Sequence, residues 1–297
     1  MRPAATVLLL REVGGELEVL MMRRDARIAF MGGMWVFPGG RVDAADTSPL
    51  VRSRVPAAVL QAWQGRLRSM QDVPLPEDES LALLVAACRE TFEESGVLLA
   101  TDRSGAPCCP ERAARLQDLR ARVAGDASAF GELLEREDLV LDLGPLVYWS
   151  HWITPSLEPK RYDTRFFAIA LPADQAASAD RSELTDHAWI RPAQAEQALA
   201  RGEIRVVPPT LLTLEDLAES HARHGGLAGM LAAERERAAP PVMPRIDVGA
   251  GEVRVVMPWD PGYGDVSGEG CLPAGGFPPH LLRRRSCLAV ARDREAR

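Results

Sequence analysis

The chain opens on two apolar runs, residues 4–13 and 16–23, divided by Gly14-Gly15. Val, Leu and Met in runs of this length, joined by a Gly-Gly pair, predict a β-hairpin. Trp35-Val36-Phe37 predicts another short strand, stopped by Pro38-Gly39-Gly40. From residue 47 to 79 prolines at 49, 56, 74 and 76 interrupt the pattern, and one short helix is expected around 57–70. A longer helix is predicted over 78–95, with Gly96 where a left-handed cap belongs. Residues 101–138 carry charged helical segments at 111–123 and 127–137, expected to pack as accessory helices.

Strand patterns return at 143–153, 163–171 and 187–190. Helices are expected from Pro192 to Arg201 and from Pro208-Pro209 to about His224. Residues 242–257 read as a hairpin turning at Gly249–Gly251, before a Gly- and Pro-rich end with a basic tail at Arg283, Arg284, Arg285, Arg292 and Arg294. Strands interleaved with helices imply an α/β fold built on a mixed sheet.

Bulk properties narrow the partners. A net charge of -7 and a pI near 5.4 argue against nucleic acid or a membrane surface as the main partner, and for a small-molecule substrate. An anionic substrate would need a local basic site or a metal ion. No apolar run reaches the ~20 residues of a membrane helix. The first apolar run meets Arg11 and Glu12 at once, so it reads as a strand and not a secretory leader. Five cysteines, an odd number without CxxC spacing, suggest neither a disulfide framework nor a zinc site, and a cytoplasmic location is expected.

The chemistry concentrates in SLALLVAACRETFEESGV, residues 80–97. On a helical wheel Leu81, Leu84, Val85, Cys88 and Phe92 form one face. Glu90, Glu93 and Glu94 fall opposite, three and four residues apart, with Arg89 at i, i+4 from Glu93. Like charges at this spacing repel, and the C-terminal end of a helix disfavours them further. A compensating cation is therefore implied, and a hard divalent ion suits carboxylate oxygens. A solvated acidic face is the plain alternative for this helix taken alone.

Two pieces together resemble the Nudix signature, G-x5-E-x7-R-E-U-x-E-E-x-G-U. They are Phe37-Pro38-Gly39-Gly40 and Arg89-Glu90-Thr91-Phe92-Glu93-Glu94-Ser95-Gly96-Val97. Three departures stand out. Asp46 occupies the place of the first Glu, Thr91 replaces an aliphatic residue, and the 42 residues 47–88 replace the usual seven. An insertion at that place resembles the branch of peroxisomal-type acyl-coenzyme A diphosphatases and their bacterial relatives. The likeness also takes in Phe30-Met31, Trp152-Ile153-Thr154-Pro155 and Arg161-Tyr162-Asp163-Thr164-Arg165-Phe166-Phe167, and so runs from about residue 4 to 218.

The resemblance implies a Nudix fold, a mixed sheet sandwiched between helices, over residues 1–224. It includes an insertion at 47–79 and accessory helices at 101–138; residues 225–297 lie outside the likeness and are expected to form a C-terminal extension packed on the same unit. It implies metal-dependent hydrolysis of a diphosphate in a nucleotide-like substrate, coenzyme A or its acyl thioester being favoured. ADP-ribose and dinucleotides, or a non-catalytic nucleotide-binding module, remain alternatives. Glu90, Glu93 and Glu94 with the Gly39 carbonyl would hold Mg2+ or Mn2+. Arg89, Asp46 and Gly40 would orient them. Glu183, in the loop before a late strand, is the favoured general base and Asp186 its rival. Lys160, the sole lysine, with Arg161 and Arg165 are phosphate-binding candidates, although strand alternation would put Arg165 on an exposed face. His221 and His224 read as a surface pair, and Trp152 and Tyr162 as core aromatics or base-stacking residues.

Overall fold

The computed structural model describes every residue except 28–30, 174, 180–183, 249–252, 274, 283–286 and 291–297. Phe30, Glu183, the Gly249–Gly251 turn and the five arginines of the basic tail lie outside the described residues.

The opening hairpin forms as its pattern predicts: β1 (Arg2–Val13) and β2 (Glu16–Arg24) pair antiparallel around the Gly-Gly turn. Short strands β3 (Trp35–Val36) and β4 (Gly39–Arg41) follow, pairing with β2 and β1 respectively. The insertion carries two short helices, α1 (Pro49–Arg52) and α2 (Ala57–Trp63). The single helix expected over 57–70 thus stops early, because Gly65 turns the chain in the left-handed region and a bridge between Arg68 and Pro74 closes a loop.

Helix α3 (Glu77–Ser95) ends at Gly96 in the left-handed conformation, as expected. Beyond it come β5 (Ala100–Asp102), α4 (Pro110–Leu116), α5 (Arg120–Gly125), α6 (Ser128–Arg136) and β6 (Leu139–Leu141). A 3-10 turn at Gln117–Leu119 divides what the sequence suggests as one helix over 111–123. Strand β7 (Val147–Ile153) begins after Gly144-Pro145, and β8 (Tyr162–Ala170) and β9 (Leu184–Ile190) follow. Next come α7 (Ala195–Ala200), α8 (Pro208–His224) and α9 (Leu227–Ala233).

One mixed sheet runs β10-β7-β8-β1-β2-β3, with β4 beside β1 and β9 beside β2; β10 is Pro241–Val242. The parallel pairs are β1 with β8 and β10 with β7. A separate antiparallel sheet joins β11 (Arg245–Val248), β12 (Val253–Val256) and β13 (Cys287–Val290).

Both faces of the main sheet are covered. Ala5, Val7 and Leu9 of β1, with Tyr148 and Phe167, pack beneath α3, α5 and α6. The alternate residues Leu8 and Leu10, with Trp149, Phe166 and Ala168, pack against Leu212, Leu214 and Leu217 of α8. Burial on both faces corrects two expectations. Helix α3 is enclosed on almost every side, since residues 80–89 are buried together, and it has no broad solvated face. Arg165 is 2% exposed, because a period-two pattern does not separate inside from outside in a strand covered twice. Among the described residues no helix is long and apolar enough to cross a membrane.

Candidate active site

The site begins with two glycines that let three elements close up. Strand β4 lies on β1 with Gly40 opposite Ala5 and Gly39 opposite Thr6. A Cβ on Gly39 would meet the Ala5 carbonyl oxygen at 2.3 Å, and one on Gly40 would meet the Glu90 carboxylate carbon at 2.4 Å. Any side chain at position 40 would displace Glu90, so glycine here sets how near β4 approaches the helix.

Asp43-Ala44-Ala45-Asp46 builds the next part. Asp43 caps a single turn and accepts from the Ala45 N–H, while the Asp46 carboxylate accepts from the Asp43 N–H at 2.8 Å. That reciprocal cap fixes Asp46, which is 1% exposed, facing α3. Arg89 meets it bidentately, Nε to Oδ1 at 2.8 Å and Nη2 to Oδ2 at 3.0 Å. The remaining guanidinium donors reach the Arg41 carbonyl at 2.8 Å, Glu90 at 2.9 Å and Glu93 at 2.7 Å. All five N–H donors are thereby used, and Arg89 is only 3% exposed. Glu94 accepts from the Gly39 N–H at 2.9 Å.

The electrostatics follow from burial. Burial pushes the Glu93 carboxyl up to about 7, the nearby charge of Glu90 adds to this, and Arg89 pulls the other way. Burial likewise raises Glu90. Burial works against the Arg89 charge, but Asp46, Glu90 and Glu93 together hold the guanidinium firmly protonated. Three carboxylates, Asp46, Glu90 and Glu93, thus share one enclosed guanidinium beside the end of a helix that disfavours negative charge.

A second arginine, absent from the sequence-level reading, relieves part of that strain. Arg120 of α5 donates to the carbonyls of Glu93 (3.0 Å) and Glu94 (2.7 Å) and to the Ser178 hydroxyl (2.8 Å). It satisfies the last carbonyls of α3 and brings positive charge to the negative end. Only its place in a charged accessory helix could have signalled it. Thr91 is explained as well: it is fully buried, and its hydroxyl donates to the Ala87 carbonyl at 2.7 Å, so it fills an aliphatic place without an unpaired polar atom.

The donor set suits a hard divalent cation, being carboxylate oxygens in excess of local positive charge beside a backbone that glycine keeps close. Among the described residues, no three His, Cys, Asp or Glu side chains are grouped so as to enclose an ion. The reason is visible in the bonding: Glu90 and Glu93 turn toward Arg89, and Glu94 toward the Gly39 amide. Holding an ion would require those oxygens to swing outward, while Arg89 keeps Asp46 and the Arg41 carbonyl.

The other predicted residues lie elsewhere. Arg165 is bound to Asp163 at 2.8 Å and donates to the Arg68 carbonyl, leaving no exposed guanidinium edge. Asp163 also meets the buried His151 at 2.5 Å, and burial holds His151 down to about 4. The imidazole is therefore neutral, with Nε2–H donating to Asp163. Arg161 pairs with Glu269 at 2.9 Å, and Lys160 is exposed on the turn before β8. Asp186 is exposed on β9 and accepts from the His187 N–H. His221 bonds Glu12 at 2.9 Å, His224 lies 3.7 Å from Glu234, and Trp152 is core. Cys88, Cys108, Cys109 and Cys271 are free thiols.

Comparison with known proteins matches residues 2–217 to the family described as the NUDT19 Nudix domain. The chain is 32% identical to the acyl-coenzyme A diphosphatase NUDT19 of Gallus gallus, over 72% of this chain and 67% of that protein. It is 31% identical to the protein of the same name from Homo sapiens, over 67% of this chain and 60% of that protein, less than two thirds of its length. A solved NUDIX hydrolase from Alicyclobacillus acidocaldarius superposes with a TM-score of 0.60 at 27% identity, covering 78% of this chain and 96% of that one. The mixed α/β sandwich is accordingly a Nudix fold.

Proposed function

The chain belongs to the Nudix family, in the branch described by the NUDT19 Nudix domain, and from that premise we propose that it hydrolyses the diphosphate linkage of coenzyme A or an acyl-coenzyme A. The observation that supports this most is the Arg89 cluster. One guanidinium holds Asp46, Glu90 and Glu93 beside Gly39-Gly40, while Glu94 reaches the Gly39 amide. A binding module that had given up catalysis would be expected to have lost glutamates from this helix, and Glu90, Glu93 and Glu94 are all retained. The shorter Asp46 still reaches Arg89 with both oxygens, so this departure from Glu does not loosen the motif.

In this reading Glu90, Glu93, Glu94 and the Gly39 carbonyl hold Mg2+ or Mn2+. When bound, the ion supplies charge neutralisation at the diphosphate oxygens and makes a water easier to deprotonate. The chain's own contribution is positional. Arg89 fixes the acidic stretch from its inner side, Arg120 pins the last turn, and Gly40 leaves room for Glu90. Glu183 keeps its place as the proposed general base on sequence position alone, immediately before β9. The residues spanning 1–224 form the catalytic unit in the same proposal. Action in the cytoplasm is also part of it, supported by the unpaired thiols.

The test is product release from coenzyme A, acetyl-coenzyme A, ADP-ribose, NADH and a diadenosine polyphosphate, each with magnesium, manganese or chelator. Metal-dependent conversion of the coenzyme A substrates to adenosine 3′,5′-bisphosphate is expected. Turnover of another member alone would replace the substrate, and silence from folded protein would end the catalytic reading.

A further inference from the structure

A cavity of about 580 Å³ opens at the far side of Tyr148, and none of Asp46, Glu90, Glu93 or Glu94 lines it. Its size is ordinary for a small-molecule site. Three distant parts of the chain build it. The insertion gives Arg66, Arg68 and Asp72; β7 gives Tyr148; the C-terminal region gives Arg237 and Phe277. The insertion is fixed there because Arg165, buried in the sheet, donates to the Arg68 carbonyl.

The lining carries three guanidiniums, Arg66, Arg68 and Arg237, against two carboxylates, Asp72 and Glu236. Arg66 lies over the Trp63 ring at 4.7 Å and donates from Nη2 to the Arg235 carbonyl; its nearest carboxylate, Glu236, is 3.8 Å away on a largely exposed side chain. Such a pairing is weak. Arg68 pairs with Asp72 at 2.7 Å. Arg237 lies over the Trp149 ring at 4.1 Å and bonds Asp216 at 2.8 Å, yet its Nε and Nη1 have no hydrogen-bond partner; Glu234 is 3.5 Å from Nη1. The Tyr148 hydroxyl, on a residue 4% exposed, makes no well-formed hydrogen bond, although the Arg165 guanidinium lies close enough to act on it. Buried donors left unpaired cost free energy, and a ligand rich in acceptors would relieve it once these side chains turn toward the cavity. The walls between them, Ala239, Phe277 and Pro278, are apolar.

We propose that this cavity binds a phosphomonoester carried on an aromatic or apolar body, at a site separate from the carboxylate cluster. A phosphomonoester brings nearly two negative charges and three acceptor oxygens, which suits guanidinium donors arriving from several directions. The phosphate has two possible sources, the far end of the substrate or a separate small molecule, and the first of these rests on the function proposed above.

The test is calorimetric titration of adenosine 3′-monophosphate, with adenosine as the uncharged control, in chelator so that no metal recruits phosphate elsewhere. Wild-type protein should prefer the phosphorylated probe at least tenfold. Arg66→Ala combined with Arg68→Ala should abolish the preference, and Glu94→Gln should preserve it. Tyr148→Phe, which retains the packed ring, should weaken binding severalfold and keeps the test open if the double variant misfolds. Equal binding of both probes by wild type, or a preference that survives in the folded double variant, would overturn the site. A KM increase in that variant confined to coenzyme A, sparing its 3′-dephospho form, assigns the phosphate to the substrate. Unchanged KM values with lost probe binding assign it to a separate ligand. The titration needs no turnover, so failure of the proposed reaction would leave this result readable.

Discussion

Arg89 and Asp46, separated by the whole insertion, meet through two parallel hydrogen bonds of 2.8 and 3.0 Å with side chains 4% and 1% exposed. The pair holds the two halves of the motif together as a covalent spacer would. Asp46→Ala would leave an enclosed guanidinium without its main partner, at a cost of about 3–5 kcal/mol. Urea unfolding should register that loss; a midpoint equal to wild type would show that the pair does not hold the site together.

Gly40→Ala tests the close approach of β4. Its Cβ would sit 2.4 Å from the Glu90 carboxyl carbon, and the flexible side chain is what yields. Turnover should fall at least tenfold while Tm moves little, because the damage is to the aim of Glu90. A variant that loses Tm and turnover in proportion would point to general packing instead.

Glu94→Gln preserves shape and the acceptor for the Gly39 amide but removes charge. We expect turnover to drop by orders of magnitude in a folded protein. Near-normal rates in steady-state assays would remove Glu94 from the metal site.

Glu93 gives a pH signature in metal-free protein. Its folded pKa of about 7 exceeds the ordinary 4.5, so the folded state keeps a proton that the unfolded state releases. Stability should therefore fall as pH rises from about 4.5 to 7 and then level off. Glu93→Gln should flatten that slope, and a divalent cation should stabilise wild type more at pH 8 than at pH 5. Identical slopes in variant and wild type would refute the assignment.

His151 acts in the opposite direction. Its folded pKa of about 4 lies below the ordinary 6.5, so acid protonates the unfolded chain first. Its contribution to stability is lost as pH falls from 6.5 toward 4. The windows of His151 and Glu93 overlap, so each is read as a difference between wild type and a single variant. Denaturation midpoints of His151→Gln that track wild type across pH 4–6.5 would contradict it.

Much of this was legible before any coordinates. The hairpin, α3 and its Gly96 cap follow from local periodicity and turn chemistry, which are properties of a few neighbouring residues. The acidic stretch of α3 could also be named, since three carboxylates at helical spacing need a reason. What escaped was set by packing between distant segments. Arg165 read as exposed because alternation assumes one wet face, and this sheet has none. Arg120 sits in an unremarkable charged segment, and only the docking of α5 beside the end of α3 gives it the carbonyls of Glu93 and Glu94. The cavity at Tyr148 depends on three chain segments meeting and leaves no mark in any one of them.

The parallel pairing of β1 with β8 sets the timetable of synthesis. Leu8 and Leu10 at the start of the chain lie beside Ala168 and Ala170 at the far end of the fold. At roughly 5–20 residues per second, β1 waits on the order of ten seconds for its partner to leave the ribosome. Through that interval one of the most apolar strands in the protein has only its hairpin mate β2 and the three-residue β4 as strand partners. A nascent chain arrested before residue 160 should hold that edge open to chaperones, and release past residue 170 should close it.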